Sequence, residues 1–279
     1  MVDIYEVELN LCDYHGTIQC DDIKELYEFF LKKVRDITDV QVHYVRLGYE
    51  FCENDLLHTN SDKLLENMQW LNAQGLKIVF VLPPLHQRYM EMYRIFLLKL
   101  LEYEWVNEFV VNDIGAIQLI REELGWNGRV SFGRLFDKSI REIRFDVFEH
   151  WNSEKCSELA FSPSVINTYQ KDLAKLWNIQ SMETDTLPDG VLDVEEWGLA
   201  YKIHIHYPRI LLSKAAYCEF AQNDYQFAGC KGTCLQYGKK IVREDRRMIY
   251  KEGLSIYGIQ TKPFKDIVKG KVRLIYSEG

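Results

Sequence analysis

The chain has 279 residues, 47% of them hydrophobic and 27% charged, a globular composition that excludes disorder and collagen-like repeats. Its net charge of −8 argues against generic nucleic-acid binding, which depends on clustered Lys and Arg. No apolar run reaches membrane-spanning length, the start Met-Val-Asp-Ile carries no basic, apolar leader pattern, and the expectation is a soluble cytoplasmic protein.

Short β-rich runs alternate with amphipathic helices along the chain. Ile4 to Leu11 reads as a strand, followed by a helix from about Asp22 with Ile23, Leu26, Phe30 and Val34 on one face. Val42 to Leu47 is a second strand, ending at Gly48. Ser61 is the expected cap of a helix with Leu64, Leu65, Met68 and Leu71 on its core face and Gly75 past its end. Lys77 to Leu82 is a strand stopped by Pro83-Pro84, and a helix through Ile95, Phe96 and Leu100 follows. Phe109 to Asn112 is a fourth strand, and Asp113 caps a helix running to Leu124 with Gly125 beyond it. Arg129 to Phe132 and Leu159 to Phe161 are short strands, and Ser164 caps a helix carrying Tyr169, Leu173 and Leu176. Ile179 to Glu183, Tyr201 to His206, Leu254 to Ile259 and Val272 to Tyr276 complete the strand candidates.

Repeated strand–helix units imply a parallel sheet with helices outside it. About eight units over roughly 250 residues is the (β/α)₈ pattern, so the expected fold is α/β, a TIM-barrel-like single domain over residues 1–279. A cysteine loop and closing segment occupy about 208–279. An open doubly wound sheet is the alternative. No Gly-x-Gly-x-x-Gly follows the first strand and no Walker-type Gly-Lys-Ser/Thr occurs. The count exceeds a plain barrel by one strand, and the pattern does not say which run lies outside.

Seven cysteines in a chain read as cytoplasmic point away from disulfides and toward buried thiols, a reactive thiol or a metal site. Cys218, Cys230 and Cys234 form a C-x₁₁-C-x₃-C array in a polar segment where Gly229 and Gly232 permit tight turns. Zinc sites usually show tight Cys pairs. One tight pair with one distant thiol suits an iron–sulfur cluster better, though zinc stays open. Cys52, just after the second strand, is the natural fourth ligand, because strand ends form the active-site rim of a barrel. Its competing reading is one more buried thiol.

Three segments carry a family resemblance. Val111-Asn112-Asp113-Ile114-Gly115-Ala116 resembles the strand-Asp-hydrophobic-Gly-Ala signature of the U32 (collagenase-like) peptidase family. The segment from Tyr207 to Cys218 resembles the approach to that family's cysteine loop. Tyr257-Gly258-Ile259-Gln260-Thr261 resembles a motif after it in the iron–sulfur U32 proteins of oxygen-independent ubiquinone hydroxylation. The resemblance runs from about Val42 to the C-terminus. It implies a [4Fe–4S] cluster held by Cys52, Cys218, Cys230 and Cys234, with one residue less between the first two late cysteines than in the resembled proteins. Two features depart from the family: Tyr207-Pro208 stands where a His-Gly is common, and the extra C-terminal domain of RNA-modifying members is not expected here.

The resemblance implies participation in oxygen-independent hydroxylation, or a related redox step, on a small molecule or peptide. Some resembled proteins take oxygen from prephenate, so prephenate enters as a candidate donor. The alternatives are a non-catalytic, cluster-bearing subunit of a heterodimer with a second U32-like chain, and a peptide hydrolase. For the last, neither Gly-x-Ser-x-Gly nor His-Glu-x-x-His is present.

Outside the cysteines, Asp113, His206 and Arg134 are the catalytic candidates. Asp113 also reads as a helix cap. His204 and His206 alternate on one strand and share a face. Arg46, Arg134 and Glu183 sit on or at the ends of strands, where a charge inside a barrel must be paired or serve a ligand. His86 follows Pro83-Pro84 on a rim loop, and Cys12, Cys20 and Cys156 read as spectators.

Overall fold

The computed structural model describes residues 1–12, 23–137, 168–187, 191–197, 201–215, 240–243, 249–252 and 254–278. Its strands are β1 (Val2–Asn10), β2 (Val42–Gly48), β3 (Lys77–Leu82), β4 (Val106–Val111), β5 (Arg129–Phe132), β6 (Ser181–Asp185), β7 (Leu192–Asp193), β8 (Lys202–Tyr207), β9 (Arg209–Lys214), β10 (Lys240–Arg243), β11 (Ile249–Glu252), β12 (Ser255–Ile259) and β13 (Val268–Tyr276). The helices are α1 (Ile23–Arg35), α2 (Ser61–Ala73), α3 (Gln87–Leu101), α4 (Ile114–Gln118), α5 (Thr168–Leu176) and α6 (Phe264–Ile267).

Eight strands in the order β1-β2-β3-β4-β5-β6-β8-β13 form a parallel sheet, and β13 pairs with β1 to close it. The fold is therefore an α/β barrel of TIM type. The surplus strand candidate resolves here. Val272 to Tyr276 belongs to β13 and closes the barrel, whereas Leu254 to Ile259 supplies β12 of a separate antiparallel sheet, β10-β11-β12-β9. The expected strand Leu159 to Phe161 and the cap Ser164 lie outside the described residues.

Alternation along each strand sorts the side chains. Outward residues such as Leu9, Leu47, Phe80, Phe109, Ile205 and Leu274 are fully buried beneath the helices. They meet Phe30 and Val34 of α1, Met68 and Leu71 of α2, and Tyr93 and Leu97 of α3 in one apolar layer. Local details correct several expectations. Asn60, not Ser61, caps α2, its side chain accepting from the backbone N–H groups of Asp62 and Lys63. On α3, Tyr93, Leu97 and Leu100 form the core face, while Ile95 is 58% exposed. On α5, Gln170 and Ala174 face inward, and Tyr169 and Leu176 are exposed. The helix capped by Asp113 stops being α-helical at Gln118 and continues as a π-helical turn, Leu119–Glu123.

The antiparallel sheet covers the C-terminal mouth. β9 starts two residues after β8 ends. Leu211 of β9, Tyr250 of β11 and Tyr257 of β12 pack with Phe51, just beyond β2, and Leu135, just beyond β5.

Candidate active site at the barrel mouth

The inward residues of this barrel are mostly polar, whereas branched apolar residues usually fill such barrels. One side follows the usual rule, where Val79, Val81 and Val110 pack with Tyr44 and Cys12. Elsewhere the interior is an ion-pair network, since a buried charge is tolerated only when paired.

At the N-terminal end, Tyr5 and Tyr44 plug the barrel. Lys202 and Lys271 lie over the Tyr5 ring at 5.0 and 5.7 Å, and the Arg273 guanidinium lies 3.9 Å from the Tyr44 centroid. One layer up, Arg273 donates to Glu8 at 3.0 Å and Glu108 at 2.9 Å. Ser131 donates to Glu108 and shares a hydrogen bond with Ser181. Burial raises the Glu8 pKa above the ordinary carboxylate range, against the opposing pull of Arg46 and Arg273. His204 sits in this layer, fully buried, 3.8 Å from Glu108. That distance is too long for a hydrogen bond, and neither ring nitrogen has a hydrogen-bond partner. Burial, then the charges of Arg273 and Arg46, hold its pKa well below the usual imidazole range.

The upper layer faces the mouth. Arg46 donates to Glu8 through Nε at 2.6 Å and grips both oxygens of Glu183, with Nη1 at 3.0 Å from Oε2. Burial works against the Arg46 charge, yet Glu183 and Glu8 more than offset it and raise its pKa well above the ordinary value. His206 Nε2 lies 3.1 Å from Glu183 Oε2. Arg134 donates to Glu50 and, at 3.2 Å, to Asp185. Asn10 donates to Glu50 at 3.3 Å and Ser277 at 3.1 Å. Above these, Arg134 lies 5.3 Å from the Phe51 ring centroid and 5.7 Å from that of Tyr257, whose ring also carries Arg209 at 3.9 Å. Both guanidiniums are buried between barrel and covering sheet.

Thus the structure turns His204 and His206 into the barrel and brings Arg46, Arg134, Glu183 and His206 together. Asp113 lies apart on the rim, where its carboxylate caps α4 through Ala116 N–H at 2.7 Å and ties down Leu85 N–H. Burial raises its pKa, partly countered by those two hydrogen bonds. His86 is held by Glu53, to Nδ1 at 2.6 Å and to its backbone N–H at 2.7 Å.

Cys52 is half-buried on this same rim, at the start of the 3₁₀ turn Glu53–His58, and its carbonyl accepts from Asp55 N–H at 3.3 Å. Cys12, read as a spectator, lies two residues beyond the end of β1 on the same rim, its N–H donating to the Asn10 side chain at 3.0 Å. Cys20, Cys156, Cys218, Cys230 and Cys234 lie outside the described residues. Among the described residues, no group of three or more His, Cys, Asp or Glu is arranged to hold a metal ion.

Sequence reasoning passed over Glu8, Glu50, Glu108, Asp185, Arg209 and Arg273. Their signal was present as alternation, in Val7-Glu8-Leu9-Asn10 and Ser181-Met182-Glu183-Thr184-Asp185, where every second residue of a barrel strand is polar. The chain matches no family model, and comparison with curated proteins and with solved structures returns no match.

Proposed function

We propose that the protein is an iron–sulfur enzyme of the U32 type, with a [4Fe–4S] cluster held by Cys52, Cys218, Cys230 and Cys234 over the barrel mouth. In this reading it takes part in an oxygen-independent hydroxylation or a related redox step on a small molecule or peptide. The observation that carries it is a juxtaposition at the rim. Lys214, the last residue of β9, lies within electrostatic reach of Asp113. Asp113 ties down Leu85, and the adjacent His86 is held by Glu53, which follows Cys52 directly. Cys218 comes four residues after Lys214, and four residues span at most about 14 Å. That reach is compatible with a ligand set shared between Cys218 and the rim segment that carries Cys52.

A half-buried thiol on an extended residue at a barrel rim fits one corner of a cubane, which takes four thiolates. When bound, such a cluster supplies one-electron chemistry. The chain's own part is positional. Arg134, fixed by Glu50 and Asp185, holds its guanidinium between the mouth and Tyr257. His206, on the Glu183 carboxylate, is placed to hold or move a proton. The covering sheet limits water. Among the described residues, Glu8, Glu50, Glu108, Glu183 and Asp185 are each engaged with a cation, and no serine–histidine–carboxylate triad or group of metal ligands is present.

The ligand assignment is tested by single substitutions in anaerobically prepared protein. Cys52→Ala should lose or destabilise the cluster and Cys12→Ala should not. A full cluster in Cys52→Ala, with loss in Cys12→Ala, moves the fourth ligand to the neighbouring strand end.

A further inference from the structure

The N-terminal end of the barrel, opposite the mouth, gathers exposed cations. Lys77 opens β3, Arg129 opens β5, Lys202 opens β8, and Lys271 lies near the start of β13. They converge on the two tyrosines of the plug. A bulge in β1 between Ile4 and Glu6 falls at Tyr5, and bulges re-aim side chains. Lys202 and Lys271 lie over the Tyr5 ring at 5.0 and 5.7 Å. Lys77 lies over the Tyr44 ring at 5.2 Å, and Arg129 donates to the Tyr44 hydroxyl at 2.9 Å. Lys202 and Lys271 each precede one of the register partners Ile203 and Val272, so they stand side by side on adjacent parallel strands. Like charges so placed are destabilising by themselves. Among the described residues, none of the four cations forms an ion pair with a carboxylate. Glu6 is committed to Arg273 at 3.0 Å and to the Tyr44 hydroxyl at 3.2 Å, and Asp3 faces Lys271 in register without pairing with it.

We propose that this end of the barrel is a binding site for a small multivalent oxyanion of the phosphate type, with Lys202 and Lys271 at its centre and Lys77 and Arg129 at its edge. In a chain of net charge −8, four cations collected without partner carboxylates are a local departure from the overall balance. An oxyanion seated among them removes the repulsion that their clustering creates. The tyrosine rings form the floor. They hold the cations by contact with the ring faces and leave the N–H groups of Lys202, Lys271 and Lys77 for a ligand. The surroundings favour a compact ligand. The loops that enter β2 and β4 at this end carry Asp36, Asp39, Glu102 and Glu104, all exposed. These carboxylates repel an extended polyanion, so a nucleic acid or an anionic membrane surface fits less well than a small molecule. The site lies at the other end of the barrel from the Cys52 segment and stands independently of any cluster there.

The test is calorimetric titration of the intact protein with tripolyphosphate at low ionic strength, alongside NMR of the tyrosine rings. About one anion per chain should bind, more weakly as salt rises, and the Tyr5 and Tyr44 ring signals should shift. Lys202→Gln and Lys271→Gln keep long stems against the Tyr5 ring. Each should weaken binding about two- to fivefold, and both together about tenfold. Lys63→Gln, in the first turn of α2 at the other end of the barrel, should leave binding unchanged. Absence of binding overturns the proposal, as does binding that the Lys202 and Lys271 variants leave untouched or that Lys63→Gln weakens equally. Tighter capture of single-stranded RNA or of anionic vesicles through the same lysines would overturn the assignment to a small oxyanion. Should a lysine variant fail to fold, the wild-type shifts at Tyr5 and Tyr44 decide alone.

Discussion

At the scale of single residues, the interior charges define this barrel. Arg46 touches Glu8 and Glu183 with almost no exposure on any of the three. Removing it takes the guanidinium from two buried carboxylates, leaving Arg273 on Glu8 and the His206 imidazole on Glu183, so Arg46→Met should cost about 3–5 kcal/mol of unfolding free energy in urea titrations. A loss below about 1 kcal/mol would mean that the carboxylates neutralise or rehydrate at little cost. His204 gives a pH signature. Its folded pKa is depressed, so the unfolded chain binds the proton more readily. The contribution is intact above the unfolded value of about 6.5 and is lost as pH falls toward the folded one. Between about pH 6.5 and 5, wild type should lose up to about 2 kcal/mol that His204→Gln retains. Parallel stability curves for the two proteins would contradict the neutral, buried assignment.

At the scale of elements, the rim segments are set by short local ties. Gly48 ends β2 at φ +112°, and a Cβ there would lie 2.4 Å from the Val81 carbonyl oxygen. Gly48→Ala should destabilise by at least about 2 kcal/mol, from both the backbone conformation and the clash, and should disturb the start of the Cys52 segment. Asp113 is a cap and a loop tie. Asp113→Ala should cost about 1–2 kcal/mol, and Asp113→Asn, which still caps, about half of that or less. An Asn variant as stable as wild type yet chemically inert would restore Asp113 as a catalytic group.

The element scale also explains what the sequence made legible. Lys77 to Leu82 and Arg129 to Phe132 are strands at the expected bounds, because apolar runs stopped by Pro83 or Gly133 have few alternatives. Caps and faces were less legible. Asn60 and Ser61 are both good caps, and only the backbone decides between them. The eighth barrel strand was ambiguous because the runs Leu254 to Ile259 and Val272 to Tyr276 are both short, apolar and C-terminal, and strand partners are chosen by long-range pairing that local pattern does not encode. In the site, alternation gave His204 and His206 a shared face, and the closed sheet is what turns that face inward. The carboxylates that pair with Arg46 and Arg134 did not, since they come from three other strand ends distant in sequence.

At the scale of the whole molecule, the barrel is closed, its N-terminal end is plugged by aromatic and cationic side chains, and its C-terminal end is covered by a second sheet. Among the described residues, no helix is long and apolar enough to cross a membrane. The mouth is thus the end at which charged groups, aromatic rings and the Cys52 segment converge. The central claim is that a cubane cluster sits there. Iron and acid-labile sulfide counted on anaerobically purified protein test it most directly: about four irons and four sulfides per chain are expected, whereas one zinc per chain with no sulfide would contradict the account.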